Sequence, residues 1–282
     1  MLGIVGGTGI ANLEDFTVTQ EHKVSTPFGR PSAPLFQGKY GEQEVVFLAR
    51  HGMQHNLLPS EVNYRANIWA LKSVGVTQII GFSAVGSLSP EIHPGDLVIP
   101  NQYFDWTRGT RQDSFFGEGL VAHISTAEPI CGSLARAIVH AGQQAGEIIH
   151  VNKAYACVNG PRLGTKAESH FLRSSARCDV VGMTNVPEAF LAREAQICYC
   201  TIAIVTDYDC WMDNPDEHVT VATVIARYGT SLKKAQALLK AMLEKPLALK
   251  ACSCRTSLQN AVLTPTQHLC EEKKQILSLL KE

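Results

Sequence analysis

Short apolar, β-branched runs alternate along the chain with longer segments whose apolar residues recur every three or four positions. Gly3-Ile4-Val5, Glu44 to Ala49, Thr77 to Phe82, Gly95 to Pro100, Ala154 to Val158, Asp179 to Thr184 and Ile197 to Val205 read as strands. The intervening stretches read as helices. One opens at Pro59-Ser60-Glu61 with Ser60 as N-cap, buries Val62, Ala66, Trp69 and Val74, and stops at Gly75. Others run from Glu128-Pro129 to about Gly146, after the Asn159–Glu168 turn, from Pro187-Glu188, and from Val219 to Leu243. Strand and helix in alternation predict an α/β fold, with a mixed, mostly parallel central sheet flanked by helices. Pro246 closes this unit, dividing the chain into residues 1–245 and an extension, 246–282, whose last helix takes Thr264 as N-cap and Pro265 at its first position.

Polar groups gather where the strands end. Ile197 to Val205 gives way to Thr206-Asp207-Tyr208-Asp209, and residues two apart in an extended segment face the same side. Two such carboxyls repel unless one holds a proton or both meet donors. Gly3-Ile-Val-Gly-Gly-Thr-Gly9 is a strand opening into a glycine turn that, with the Thr8 hydroxyl, suits phosphate. No glycine sits three residues after Gly9 and no Gly-Lys-Ser/Thr follows, which excludes a dinucleotide fingerprint and a Walker loop. Arg50-His51 can fork an oxyanion. His51 and His55 have zincin spacing, but Gly52 stands where a general-base Glu is required, so no metal is assigned. Ser83-Ala84 and Met183-Thr184 are further strand ends with small or polar groups.

The chain has 282 residues, 45% hydrophobic and 18% charged, with a net charge of −1. That balance supplies no field for nucleic acid or an anionic membrane. No apolar run reaches membrane-span length, and Gly3-Ile4-Val5 follows no basic n-region, which argues against a secretory signal and for the cytoplasm. Nine cysteines form neither a CxxC pair nor an array with zinc spacing. They read as reduced thiols, with Cys252 and Cys254 as two surface thiols.

Gly6-Gly-Thr-Gly9, Thr26-Pro-Phe-Gly29, Ala49-Arg-His-Gly52, Val62 to Ala70, Gly160-Pro-Arg162, Met183-Thr184, Val186-Pro-Glu188 and Thr206 to Trp211 resemble the purine nucleoside phosphorylases of the trimeric class, nearest in their 5′-methylthioadenosine phosphorylase branch. The likeness runs from Gly3 to about Lys245. It implies that Thr8, Arg50, His51, Ser83, Ala84 and Thr184 hold phosphate. It places Met183 against the ribose and Asp207, Tyr208 and Asp209 at the purine. It carries His123 toward a neighbouring subunit's site, and so implies a homotrimer, whether or not trimers pair further. It implies phosphate as co-substrate, with no cofactor and no metal.

The implied reaction splits 5′-methylthioadenosine into adenine and 5-methylthioribose 1-phosphate. Asp207 is the expected general acid at N7 and Asp209 orients the base, with the two roles exchangeable. A carboxylate accepts from a 6-amino group, which argues for adenine over 6-oxopurines. Val221, with Val224 and Ile225, lies on the helix that borders the 5′ pocket in the family. Leu163-Gly164 replaces the Phe-Ser of close relatives, and Gly182 and Asn185 flank Met-Thr where those relatives carry Asn and Thr. These departures point to the alternative, a phosphorylase acting on 6-oxopurine nucleosides or 5′-methylthioinosine.

Overall fold

A computed structural model of the chain describes residues 1–7, 16–212, 221–244 and 252–282, without the side chains of residues 221–228 and 230. Among the described residues, nine strands form one mixed sheet in the order β2-β3-β4-β1-β5-β8-β7-β6-β9. They are β1 (Leu2–Gly6), β2 (Phe16–His22), β3 (Leu35–Tyr40), β4 (Gln43–Ala49), β5 (Gln78–Ser87), β6 (Leu97–Asp105), β7 (Ile149–Cys157), β8 (Val180–Gly182) and β9 (Cys198–Asp207). β9 pairs with β5 as well as with β6, so β5, β8, β7, β6 and β9 close into a ring.

Side-chain alternation along β9 explains its burial at every position. Ile202 and Ile204 face the main core, whereas Ala203 and Val205 join Val85, Val98, Tyr155 and Val180 in a smaller cluster. A strand that faces apolar groups on both sides reads as a continuous hydrophobic run, as this one does. β1, β4, β5 and β9 are mutually parallel in register, with Gly6 beside Ala49 and Gly81 beside Thr201. Their C-terminal ends therefore share one edge.

Six helices are described: α1 (Tyr64–Ser73), α2 (Gly132–Gln144), α3 (Lys166–Ser174), α4 (Asn185–Glu194), α5 (Val221–Leu243) and α6 (Glu271–Lys281). Three start later than the hydrophobic pattern predicts, α2 among them, at Gly132 rather than Glu128. Glu61 closes a turn with its backbone N–H on the Leu58 carbonyl, so α1 begins after Asn63, whose side chain accepts from Ala66 N–H at 3.1 Å. Thr264 does not cap the last helix. Its hydroxyl oxygen accepts the Val121 backbone N–H at 2.8 Å, and α6 starts only at Glu271. A long-range backbone partner outcompetes the local cap. The β2–β3 hairpin is also absent from the sequence pattern, because β2 (Phe-Thr-Val-Thr-Gln-Glu-His) is largely exposed and carries no apolar stripe.

Residues 252–282 pack onto the main core through Leu258, Leu269, Ile276 and Leu280. Backbone and side-chain bonds tie them to the Glu118–His123 loop, among them Leu263 N–H to Val121 at 2.8 Å and Lys273 to Glu118 at 2.8 Å. Among the described residues no helix is long and apolar enough to cross a membrane.

Candidate active site

The shared edge of β1, β4, β5 and β9 opens on a cavity of about 870 Å³. Arg50, His51, Ser83, Ala84 and Thr184 line one part of it; Asp207, Asp209 and Gly164 line another, and Met183 lines it too. The alternation of strands and helices thus brings residues from five separate chain segments into one site.

Arg50 is fully sequestered, and its fork does not face the cavity. Nε and Nη2 donate to the two oxygens of Glu188 at 2.7 Å each, and Nη1 donates to the Phe82 carbonyl at 2.7 Å. Nη2 also reaches the Val5 carbonyl at 3.4 Å. The forked grip on an oxyanion is therefore spent on a carboxylate. A guanidinium has five N–H donors, which leaves one, on Nη1, for a ligand. Burial alone would lower the Arg50 pKa, but the Glu188 carboxylate outweighs it and holds the charge in place.

His51 is the counterpoint. Burial and the adjacent Arg50 charge push it down to about 4, so it is neutral near pH 7. Its Nδ1 lies 3.0 Å from the Leu57 carbonyl, which can only accept. Nδ1 therefore carries the proton and Nε2 is left as an acceptor. Beside it, Ser83 Oγ meets Thr184 Oγ1 at 3.1 Å and the Tyr155 hydroxyl at 3.0 Å.

At the other end Asp207 Oδ2 accepts from the Thr206 hydroxyl at 2.6 Å, and Oδ1 accepts from Asp209 N–H at 2.8 Å. That second bond exists because Asp209 adopts a left-handed backbone conformation, φ 54°, which turns the chain back on the preceding carboxylate. Burial raises the Asp209 pKa above its ordinary value, opposed by hydrogen bonds from Ser169 and Cys210. Gly86 makes the turn possible: a Cβ there would lie 2.8 Å from Asp207 Oδ1 and 3.2 Å from Asp209 Cβ.

Three supporting residues escaped the sequence reading. Glu188 pins Arg50. Gly86 admits the carboxylate turn. Arg111, buried from within a long loop, donates to the carbonyls of Val186 at 2.6 Å, Met183 at 2.9 Å and Asn159 at 3.2 Å, fixing the segment that carries Met183 and Thr184. Glu188 stands in the Val-Pro-Glu motif, so a carboxylate near a buried arginine was its only signal. A lone arginine in a polar loop has none.

Other expected residues lie elsewhere. Tyr208 and His123 do not line the cavity. The Tyr208 ring packs edge-on against His93 and Trp211, and His123 donates its backbone N–H to Ala261. Thr8 falls outside the described residues, as do the side chains of Val221, Val224 and Ile225. The surface-thiol reading of Cys252 and Cys254 does not hold: Cys254 is buried, Cys252 is half-buried, and both face Cys131 and Cys198. The reason is the packing of residues 252–282 onto the core, which their sequence alone does not reveal. Among the described residues of the cavity, no three His, Cys, Asp or Glu side chains converge as metal ligands.

Relatives match most or nearly all of the chain. An S-methyl-5′-thioadenosine phosphorylase of Geobacter sulfurreducens is 43% identical over 99% of this chain and 97% of that protein. One of Saccharolobus solfataricus is 44% identical over 93% of this chain and 97% of that protein. The crystal structure of a methylthioadenosine phosphorylase from an antarctic soil metagenomic library superposes with a TM-score of 0.93 at 40% identity, covering 99% of this chain and 98% of that one. A Schistosoma mansoni methylthioadenosine phosphorylase in complex with adenine superposes at 0.81, with 38% identity over 86% of this chain and 90% of that one. The phosphorylase superfamily model matches residues 1–244, and the chain belongs to that superfamily.

Proposed function

We propose that the chain splits 5′-methylthioadenosine with inorganic phosphate, giving adenine and 5-methylthioribose 1-phosphate. The observation that carries this reading is the joining, in one cavity, of a donor-rich end and the Asp207–Asp209 turn, where burial raises the Asp209 pKa. The relatives named for this activity support it. Phosphate sits against Ser83, Thr184, the Ala84 backbone and the one spare N–H of Arg50. A protonated phosphate oxygen donates to His51 Nε2, which is an acceptor because Nδ1–H is tied to Leu57.

Breaking the N-glycosidic bond builds positive charge on the ribose and negative charge on the purine. Phosphate held against C1′ stabilises the cation and then bonds to it, so its placement supplies much of the rate. The C1′–N9 electrons pass into the purine, which leaves once N7 takes a proton. Asp207 delivers that proton and Asp209 receives the 6-amino group. No metal or organic cofactor enters the scheme. His123 reaches a neighbouring subunit's site in a homotrimer, and the enzyme works in the cytoplasm.

A second reading rests on Gly164, where a Cβ would have 3.8 Å of room to Asp209. An added hydroxyl there would bind Asp209; without it, the carboxyl is freer to protonate and donate to a 6-oxo group. Phosphate-dependent base release from 5′-methylthioadenosine, adenosine, inosine and 5′-methylthioinosine decides. Faster turnover of the 6-oxo pair rejects the adenine reading, and full activity without phosphate rejects phosphorolysis altogether.

A further inference from the structure

Four cysteines from three distant parts of the chain converge behind the sheet, away from the cavity. Cys131 caps the N-terminus of α2, Cys198 opens β9, and Cys252 and Cys254 lead the C-terminal extension. All four sulfurs lie within 4.8 Å of one another, and none of the four residues lines the cavity. We infer that Cys131, Cys198, Cys252 and Cys254 form a closed tetrathiolate site for a zinc ion that clamps the extension to the core.

The spacing fits. Tetrahedral zinc with thiolates at about 2.3 Å sets its sulfurs roughly 3.8 Å apart. Cys131 and Cys252 stand 3.3 Å apart, shorter than that, and the widest pair lies within 4.8 Å, longer than that. Small rotations of the thiols bring both to the tetrahedral value. The four donors are all soft sulfur and leave no open position, which is a structural rather than a catalytic arrangement.

Outer partners are in place too. Arg193 Nη1 points at Cys254 Sγ from 3.3 Å, and the Leu134 backbone N–H at the start of α2 points at Cys131 Sγ from 3.4 Å. Such donors orient ligands and offset the excess negative charge of four thiolates around a dication. Zinc entry displaces the thiol protons and releases them to solvent. Metal-ligand spacing is invisible in the sequence because only Cys252-Ser253-Cys254 is local.

The test uses the full-length protein produced with zinc supplied under reducing conditions. Mass-spectrometric metal analysis after gel filtration is expected to find about one zinc per chain. Cobalt(II) added to the metal-free protein is expected to give the intense thiolate charge-transfer and tetrahedral bands of a four-sulfur site. Cys254→Ser and Cys131→Ser should lose at least the roughly 10- to 100-fold in metal affinity that removing an outer-shell partner costs. Cys270→Ser, an exposed cysteine outside the cluster, should lose none. Sub-stoichiometric zinc in the wild-type protein without the cobalt spectrum overturns the site, whether the thiols titrate as free or mass mapping finds them paired as disulfides. The wild-type spectrum decides the question even if a Ser variant fails to fold.

Discussion

The two ends of the cavity are built to different tolerances. At the end proposed to hold phosphate, Arg50 and His51 are both held in place by neighbours. Glu188 takes two N–H groups of Arg50, the Phe82 and Val5 carbonyls take two more, and Leu57 fixes the His51 tautomer. At the end proposed to hold the base, Asp207 is anchored, but Asp209 has open space beside it at Gly164, and Leu163 is substantially exposed. A common co-substrate permits a rigid site. A choice among purines is made where side chains have room to differ, so substrate preference should respond to substitution at one end and catalytic competence at the other.

The comparison breaks most severely at Glu188. Removing one partner of a buried pair leaves an uncompensated charge, which costs about 3–5 kcal/mol. Glu188→Ala should therefore lower stability by that order and raise the KM for phosphate, since Arg50 swings free. Denaturant unfolding and phosphate saturation curves measure both; unchanged phosphate KM would mean that Arg50 serves the fold alone. Asp207→Asn should cut turnover of 5′-methylthioadenosine by about 10²- to 10⁴-fold, the usual worth of a general acid. Substrates with a 6-oxo group should suffer less, and equal loss across the nucleoside panel would make Asp207 structural.

Gly86 sharpens the contrast from within β5. A methyl group there meets Asp207 Oδ1 at 2.8 Å, and the backbone of Asp209 at 3.3 Å blocks its retreat. Displacing a catalytic group by about 1 Å costs about 10²-fold. Gly86→Ala should reduce kcat by that order with the thermal midpoint little changed. Gly164→Ser is milder. Its Cβ has ordinary contact distance, and one new hydroxyl bond to Asp209 is worth roughly 0.5–1.5 kcal/mol. Relative kcat/KM for adenine over 6-oxopurine nucleosides should rise about 2- to 10-fold; a fall would place the specificity elsewhere.

Much of this was legible from the chain because the residues that line the cavity sit largely at strand ends, and strand ends are visible where apolar runs stop. Asp207, Asp209, Arg50, His51 and Ser83 were found that way. What escaped depends on non-local pairing. Thr264 has the sequence of a cap but is taken by Val121, 143 residues away, and Arg111 acts through carbonyls that no side-chain pattern marks. Gly182 shows the same limit. A Cβ at this position would collide with the Tyr155 hydroxyl, so the glycine is required by a tyrosine on a neighbouring strand.

The smallest expected effect has opposite signs at the two ends. His51 is held down to about 4 by burial, against an ordinary 6.5. The unfolded chain binds more protons between those values, so this contribution is present above pH 6.5 and lost as pH falls toward 4. Asp209 is raised above its ordinary 3.8 by burial. The folded chain binds more protons there, so its contribution is present below about that value and lost as pH rises through the folded pKa. His51→Asn, whose amide can still donate to Leu57, should flatten the acid side of the melting-temperature profile. Asp209→Asn should flatten the fall that begins above pH 3.8 and leave the His51 window intact. If either variant flattens both slopes, the two ends titrate as one unit and the division between a rigid and a permissive end fails.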